Sequence, residues 1–204
     1  MKHAAYRLFK KPFFGRFVRP WRWPAEAEPE QWQSLPIPSG SGATLRALLA
    51  QAHGGPAKGA VLMCHPMGVV AKGFWIKYGH AELLRQAGYH VMLFDLNGFG
   101  ESSSSTMDFH LDVLAAGQAL QAEYPQLPVA VLGASMGAAM SLCALAQPDH
   151  PFKVAVLESA FPTLLHFWSR YLHINKLRNA VRKSVNRSKH THIFKKIIRF
   201  TMAI

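Results

Sequence analysis

Cysteine is scarce in this chain of 204 residues, and long apolar runs are missing from it. The two cysteines, Cys64 and Cys143, are too few for a disulfide-stapled fold and lack the spacing of a metal site. No stretch approaches the roughly 18 apolar residues of a membrane span. Lysines and arginines interrupt the first 23 residues, so they do not form the apolar core of a secretory signal. We therefore expect a cytoplasmic domain that uses neither a metal nor an organic cofactor.

Acidic residues are absent from both ends of the chain. The net charge of +12 divides into +7 on residues 1–22, −5 on residues 23–158 and +10 on residues 159–204. The length suits one domain with short appendages. We accordingly predict a basic, aromatic N-terminal arm over residues 1–30, a core over residues 31–171 and a basic tail over residues 172–204.

The two basic ends predict contact with a polyanionic surface. The arm interleaves cations with aromatic rings such as Phe9, Phe13 and Trp21, a composition that suits a membrane interface with anionic lipid. Nucleic acid is the less favoured partner, and the aromatic residues could instead pack onto the core as a strap. The tail is predicted to be amphipathic and helical, because apolar residues recur at helical spacing at Ile174, Leu177, Val181 and Val185.

The core alternates strand-like and helix-like segments. Strands are predicted over 33–37, 43–51, 59–64, 89–95, 128–132 and 153–157, and helices over 75–87, 105–123, 138–147 and 163–171. Short alternating elements of this kind predict an α/β fold with a mostly parallel sheet and helices on both faces, the first two strands forming an antiparallel edge. Active sites in such sheets lie beyond the carboxyl ends of the strands.

One strand end carries a motif for nucleophilic catalysis. Residues 133–137 read Gly-Ala-Ser-Met-Gly, directly after an apolar strand and before an alanine-rich helix. This is the pattern of a nucleophile elbow, in which a tight strand-to-helix turn raises the serine hydroxyl above the sheet. Ser135 is therefore the candidate nucleophile, and the backbone N–H of Met136 can face a developing oxyanion at the helix N-terminus. A plain Gly/Ser turn is the simpler interpretation, but the strand and helix on either side favour the elbow.

Two further loops end neighbouring strands. Residues 64–68 read Cys-His-Pro-Met-Gly, at the position where a second oxyanion donor is needed. Pro66 has no N–H, so Met67 is the candidate donor, and His65 is interpreted as a side chain that shapes the loop. Residues 95–102 read Asp-Leu-Asn-Gly-Phe-Gly-Glu-Ser, in which Asp95 can accept backbone hydrogen bonds. A dinucleotide-binding loop is a weaker interpretation there, because the third glycine is missing.

Together these motifs resemble the α/β-hydrolase superfamily, in particular the serine-hydrolase branch that includes serine aminopeptidase-like proteins. The resemblance rests on residues 64–68, 95–102, 133–137 and 157–161, in family order, and covers about residues 31–170. It implies hydrolysis of a carboxylic ester, thioester or amide of a small acyl substrate. It also implies Ser135 as the nucleophile and Met67 and Met136 as the oxyanion hole.

The chain departs from the family pattern after the sixth strand. Family members carry the triad acid after a seventh strand and the histidine after an eighth, but here no acid follows Glu158. The four later histidines, His166, His173, His190 and His192, do not lie in the expected strand and loop context. The general-base histidine is therefore unassigned, and we expect the sheet to be incomplete at its C-terminal side.

Three hypotheses follow from this departure. The favoured one is a hydrolase that is truncated or frame-altered near residue 172 and has low activity, because the composition changes where the family pattern stops. In the second, Glu158 is the acid that orients a histidine from the tail, although related proteins carry a glutamate there without a catalytic part. In the third, the core is an inactive binding module whose basic ends dock on membrane or nucleic acid. An incomplete sheet would also expose an edge, which predicts self-association.

Overall fold

The structure, a computed structural model, describes residues 22–25 and 27–161. After a 3-10 turn at Pro29–Gln31, six strands alternate with four helices. The strands are β1 (Gln33–Pro38), β2 (Thr44–Ala50), β3 (Gly59–Cys64), β4 (Tyr89–Phe94), β5 (Val129–Ala134) and β6 (Phe152–Glu158). The helices are α1 (Gly73–Lys77), α2 (His80–Gln86), α3 (Phe109–Glu123) and α4 (Met136–Leu145).

The strands form one mixed sheet in the order β1-β2-β4-β3-β5-β6. The four strands β3, β4, β5 and β6 are parallel, whereas β1 and β2 pair antiparallel with each other and β2 pairs antiparallel with β4. This confirms the predicted parallel sheet with an antiparallel edge. The carboxyl ends of β3, β4 and β5 lie at one edge of the sheet, because Cys64 is in register with both Phe94 and Gly133.

Helices cover both faces of the sheet, as predicted. All six residues of β3 are buried, which explains its uninterrupted apolar sequence. Val61 and Met63 point to one face, where they join a buried cluster with Trp75 and Ala81 from α1 and α2. Cys64 points to the opposite face, toward Ser141 of α4.

Two of the predicted helices are wrong by more than a shift of two residues at their ends. The helix expected over 75–87 is divided into α1 and α2, because Gly79 adopts a left-handed conformation with φ of 76°. The helix expected from Ser105 begins instead at Phe109, after Asp108. The Ser105 hydroxyl does not cap a helix but donates to the backbone oxygen of Ser41 at 2.6 Å.

A buried carboxylate joins three parts of the core. Asp112, in the first turn of α3, is fully buried and accepts four hydrogen bonds from neutral groups. The hydroxyls of Ser39 and Ser41, in the turn between β1 and β2, donate at 2.7 and 2.6 Å. The backbone N–H and side-chain amide of Asn97, after β4, donate at 2.9 and 2.7 Å. This arrangement fixes the loop after β4, one of the loops beside the candidate site.

Several predictions concern residues outside the described range. They are the N-terminal arm up to residue 21, the helix over 163–171, the helical tail over 172–204 and the incompleteness of the sheet. At the end of the described range, β6 has its two valines more than half exposed, Val154 at 59% and Val156 at 58%. Among the described helices, none has the length and apolar character needed to cross a membrane.

Candidate active site

Ser135 occupies a strained turn at the carboxyl end of β5. It is the single residue between Ala134, the last residue of the strand, and Met136, the first residue of α4. Its backbone has φ of 51° and ψ of −110°, in a region that residues with a Cβ rarely adopt. The side chain is half-buried, and its hydroxyl has no hydrogen-bond partner among the described residues. The conformation is that of the predicted elbow.

Two glycines allow the turn to be this tight. A Cβ atom on Gly133 would lie 2.7 Å from the Cα atom of Ala138, so strand and helix approach each other too closely for any side chain. A Cβ atom on Gly137 would meet the backbone of β3 at its last residue, Cys64. The start of α4 therefore packs directly against the end of β3.

The first N–H groups of α4 have no acceptor among the described residues. The first intrahelical hydrogen bond runs from the Ala139 N–H to the Ser135 carbonyl at 3.0 Å, so the N–H groups of Met136, Gly137 and Ala138 have no acceptor within the helix. The N–H of Ser135 is already occupied, because it donates to the carbonyl of Glu158 at 2.8 Å. Met136 thus carries the first available N–H after the serine, at the positive end of the helix dipole.

Met67 lies in the loop that follows β3. Because β3 and β5 are adjacent and parallel, this loop and the Ser135 turn leave the sheet at the same edge. The N–H of Met67 donates to no other described residue. The structure therefore brings Met67 and Ser135 to one edge of the sheet, and the Met67 N–H has no acceptor among the described residues.

His65 is a fixed, neutral part of the same loop. Its ring is fully buried; Nδ1–H donates to the carbonyl of Pro66 at 2.8 Å, and Nε2 accepts from the N–H of Leu96 at 3.1 Å. Burial lowers the pKa of His65, an effect that Asp95 opposes. Both ring nitrogens are used, so His65 shapes the loop, as predicted from the sequence.

A buried ion pair connects the loop after β3 to the loop after β4. Lys72, at the end of the β3 loop, donates from Nζ to carboxylate oxygens of Asp95 and Glu101, each at 2.7 Å. Asp95 also accepts from the backbone N–H groups of Lys72 and Glu101 at 2.9 and 3.0 Å, which confirms its predicted role. Gly100 makes room for this carboxylate, since a Cβ atom there would lie 2.3 Å from Asp95 Oδ2. The sequence reasoning missed Lys72, because a single lysine carries no signal of burial.

Glu158 is the last residue of β6 and lies in register with Ala134. Its carbonyl binds the N–H of Ser135, so its backbone is adjacent to the candidate nucleophile. The residue itself is exposed, and its carboxylate forms no hydrogen bond with another described residue. The next residue, Ser159, has φ of 55°, so the chain turns sharply there.

No described histidine is bonded to the Ser135 hydroxyl. His53 pairs with Glu82 at 2.9 Å, and His90 accepts from the N–H of Ala52 at 3.1 Å, both far from the carboxyl ends of the parallel strands. The four later histidines of the sequence lie outside the described residues. In the part of the chain that the structure describes, no group of histidine, cysteine or acidic residues could hold a metal ion.

Two neighbouring cavities lie at the opposite end of the sheet. Their volumes are about 490 and 440 Å³, and both are lined by Gln31, Trp32, His53 and Arg85. Gln51, which lines the larger one, follows β2 where that strand pairs with the start of β4. These cavities are therefore separate from the serine turn.

Comparison with known proteins identifies one family. The sequence model described as serine aminopeptidase, S33, matches residues 55–198. No curated protein sequence gives a significant match.

Similar solved structures are bacterial and archaeal hydrolases. An esterase of Pyrococcus furiosus is 21% identical with a TM-score of 0.63, over 77% of this chain and 61% of its own. An α/β serine hydrolase without a lid, from Xanthomonas campestris, is 21% identical with a TM-score of 0.51, over 63% of this chain and 59% of its own. A carboxyl esterase of Bacillus coagulans is 19% identical with a TM-score of 0.53, over 62% of this chain and 43% of its own. At these identities the likeness shows the fold, which is that of the α/β-hydrolases, and the chain spans about three-fifths or less of each relative.

Proposed function

The chain belongs to the serine aminopeptidase S33 family, and on that premise we propose that it is a serine hydrolase acting on a carboxylic ester, thioester or amide. The observation that carries the proposal is the position of Ser135. A serine at φ of 51° is the one residue between a buried strand and a helix whose first N–H groups have no intrahelical acceptor. Strain of this kind persists only where the surrounding structure enforces it, and it is concentrated at functional sites.

In the proposed reaction, Ser135 Oγ attacks the carbonyl carbon of the substrate and loses its proton to a base. The carbonyl oxygen becomes an oxyanion that accepts hydrogen bonds from the N–H groups of Met67 and Met136. Collapse of this intermediate expels the protonated alcohol, thiol or amine and leaves an acyl-serine, which water hydrolyses. One oxyanion donor contributes about 2.7–4 kcal/mol to such reactions, and no step needs a cofactor.

The two partners of Ser135 in a catalytic triad, a general base and an acid that orients it, are assigned only as candidates. The base would be a histidine, and the histidines that follow β6 are the candidates that sequence order leaves. Glu158 is the candidate acid, because its strand end adjoins the Ser135 backbone. Its exposed carboxylate makes it a weaker assignment than the serine.

Labelling with a fluorophosphonate probe tests the proposal, because this probe reacts with activated serines. We expect the wild-type chain to be labelled on the peptide that contains Ser135, and Ser135→Ala to remain unlabelled. Ser34→Ala, which changes an exposed serine of β1, is the matched control and should be labelled like the wild type. Equal labelling of wild type and Ser135→Ala, or no labelling of the wild type, would contradict the assignment of Ser135.

A second function is favoured by the charge distribution alone. The core could be an inactive binding module that docks on an anionic membrane, or less favourably on nucleic acid, through the basic ends of the chain. Peripheral membrane contact is compatible with either function. Self-association through an exposed sheet edge also remains a prediction.

A further inference from the structure

Lys72 is buried to an extent that is rare for lysine. Its side chain is 1% exposed, and the carboxylate of Asp95, its partner 23 residues later, is completely buried. Glu101, half-exposed, is the second carboxylate on the same ammonium group. Lysine and aspartate are seldom buried unless they are paired, so the location of this ion pair in the fold is informative.

The ion pair lies at the end of the loop that contains Met67, the candidate oxyanion donor. The segment of residues 65–72 contains no helix or strand. At its start, the His65 ring accepts the N–H of Leu96, and at its end both the N–H and the ammonium group of Lys72 bind Asp95. The segment that contains Met67 is therefore attached at both ends to the loop after β4.

Between these attachments the backbone is strained, and around Met67 it forms few hydrogen bonds with described residues. Ala71, next to Lys72, has φ of 45°, which residues with a Cβ adopt only under constraint. The carbonyls of Val70 and Ala71 accept ordinary hydrogen bonds at 3.0 Å from the next helix, whereas the bond from the Ala71 N–H to the Gly68 carbonyl is long, at 3.4 Å. The segment thus has little structure of its own that would fix the direction of the Met67 N–H.

The Lys72–Asp95 ion pair is expected to contribute little net free energy to the stability of the fold. Desolvation of two charges offsets most of their attraction, and apolar residues of the same size often stabilise a core equally well. An ion pair that contributes little net stability can still hold the backbone of a loop in one position. An oxyanion donor must be held in position, because displacing a group at an active site by about 1 Å is enough to lower the rate about 100-fold.

We propose that Lys72 and Asp95 are positioning residues that hold the segment of residues 65–72 so that the Met67 N–H faces the oxygen developing beside Ser135. The two residues act through the backbone and do not touch the substrate. The proposal deepens the proposed function and rests on it.

The test removes both charges at once. Lys72→Met with Asp95→Asn leaves no buried charge unpaired, so the double variant is expected to fold. The matched control is Arg85→Met with Glu82→Gln, which removes a buried cation and its carboxylate at 3.0 Å at the opposite end of the sheet. With p-nitrophenyl butyrate, we expect the first double variant to lose about 10- to 100-fold in kcat with KM nearly unchanged. The control should keep the kcat of the wild type.

Hydrogen exchange provides a readout that does not depend on activity. Amide exchange measured by mass spectrometry should accelerate in peptides that cover residues 65–72 and remain unchanged in β3 and β5. If the first double variant does not fold, Asp95→Asn alone is measured, in which Glu101 still pairs with Lys72.

The outcomes separate the two proposals. Wild-type kcat together with wild-type exchange in the folded variant would overturn the positioning role. Faster exchange along the whole core, with an equal loss of kcat in the control, would also overturn it, because Lys72 would then be only a stabilising residue. If wild type neither reacts with the fluorophosphonate nor hydrolyses the ester, the proposed function fails by itself, and exchange alone decides whether the pair holds the segment.

Discussion

A Cβ atom on Gly137 would lie 2.1 Å from the carbonyl oxygen of Cys64. The contact joins the first turn of α4 to the last residue of β3, and therefore joins the two segments that carry the candidate oxyanion donors. Because both partners are backbone, neither can move aside by a change of rotamer. The distance between the serine turn and the Met67 loop is thus determined by main-chain packing.

Gly137→Ala should disturb both folding and labelling. The added methyl must displace either the helix or the strand end, which typically costs about 1–3 kcal/mol in the free energy of unfolding. Fluorophosphonate labelling of Ser135 should slow as well, because the N–H groups of α4 move with the helix. Gly40→Ala is the control, since its added Cβ would meet only Leu111 at 3.6 Å, an ordinary contact. Denaturant unfolding that is equal for the two variants would contradict the argument.

The two cysteines should differ in reactivity. Burial raises the pKa of the Cys64 thiol to about 12, partly opposed by the Ser141 side chain, whereas Cys143 is exposed. In the folded protein at pH 8, iodoacetamide should alkylate Cys143 and leave Cys64 intact. In urea both should react. Peptide mapping checks this, and alkylation of Cys64 at the same rate as Cys143 in the native chain would disprove it.

His65 should make folding stability depend on pH. Burial lowers its pKa in the folded protein below the ordinary 6.5, so the unfolded chain takes up the proton first as the pH falls. The stability that the neutral ring contributes is complete above pH 6.5 and decreases as the pH falls from there toward the lowered pKa. The slope is at most about 1.4 kcal/mol per pH unit for one group.

Urea unfolding between pH 7.5 and pH 5 measures this slope. We expect His65→Gln to be less stable at pH 7.5, by about 1–3 kcal/mol for a buried N–H left without its acceptor, and to show a shallower pH slope. Ser34→Ala, which changes an exposed side chain and no titratable group, should keep the wild-type slope. Parallel curves for wild type and His65→Gln would show that His65 does not titrate as proposed.

The basic ends of the chain predict salt-sensitive binding to lipid. A lysine or arginine near an anionic surface contributes about 1 kcal/mol, and salt screens this attraction. The chain should sediment with vesicles that contain phosphatidylserine at low salt and be released at high salt. Vesicles of phosphatidylcholine alone are the control. Binding that is equal for both lipids, or absent from both, would remove the membrane hypothesis.

Local patterns predicted most of the described fold. The bounds of β3 were predicted to the residue, because its apolar run is flanked by turn-forming residues, and the elbow was recognisable because all its parts lie within residues 129–139. The break between α1 and α2 was missed because a single glycine within an amphipathic pattern is usually tolerated. At Gly79 the backbone adopts a left-handed conformation, which separates α1 from α2.

Long-range contacts were not predictable from the sequence. Lys72 and Asp112 belong to none of the motifs recognised in the sequence, yet both are buried by partners at least 15 residues away. Such pairings depend on how loops meet at the edge of the sheet, which neither spacing nor periodicity encodes. The same reason leaves the general base unassigned, since triad members come together only through tertiary structure.

The buried carboxylate of Asp112 has a consequence for folding. Its donors arrive from the β1–β2 turn and from the end of β4, while the carboxylate itself arrives with α3. Until all three are docked, a negative charge would be enclosed without enough donors, which is costly in free energy. A half-assembled sheet is therefore penalised, and this part of the chain is expected to lose its structure in one cooperative transition with no stable intermediate.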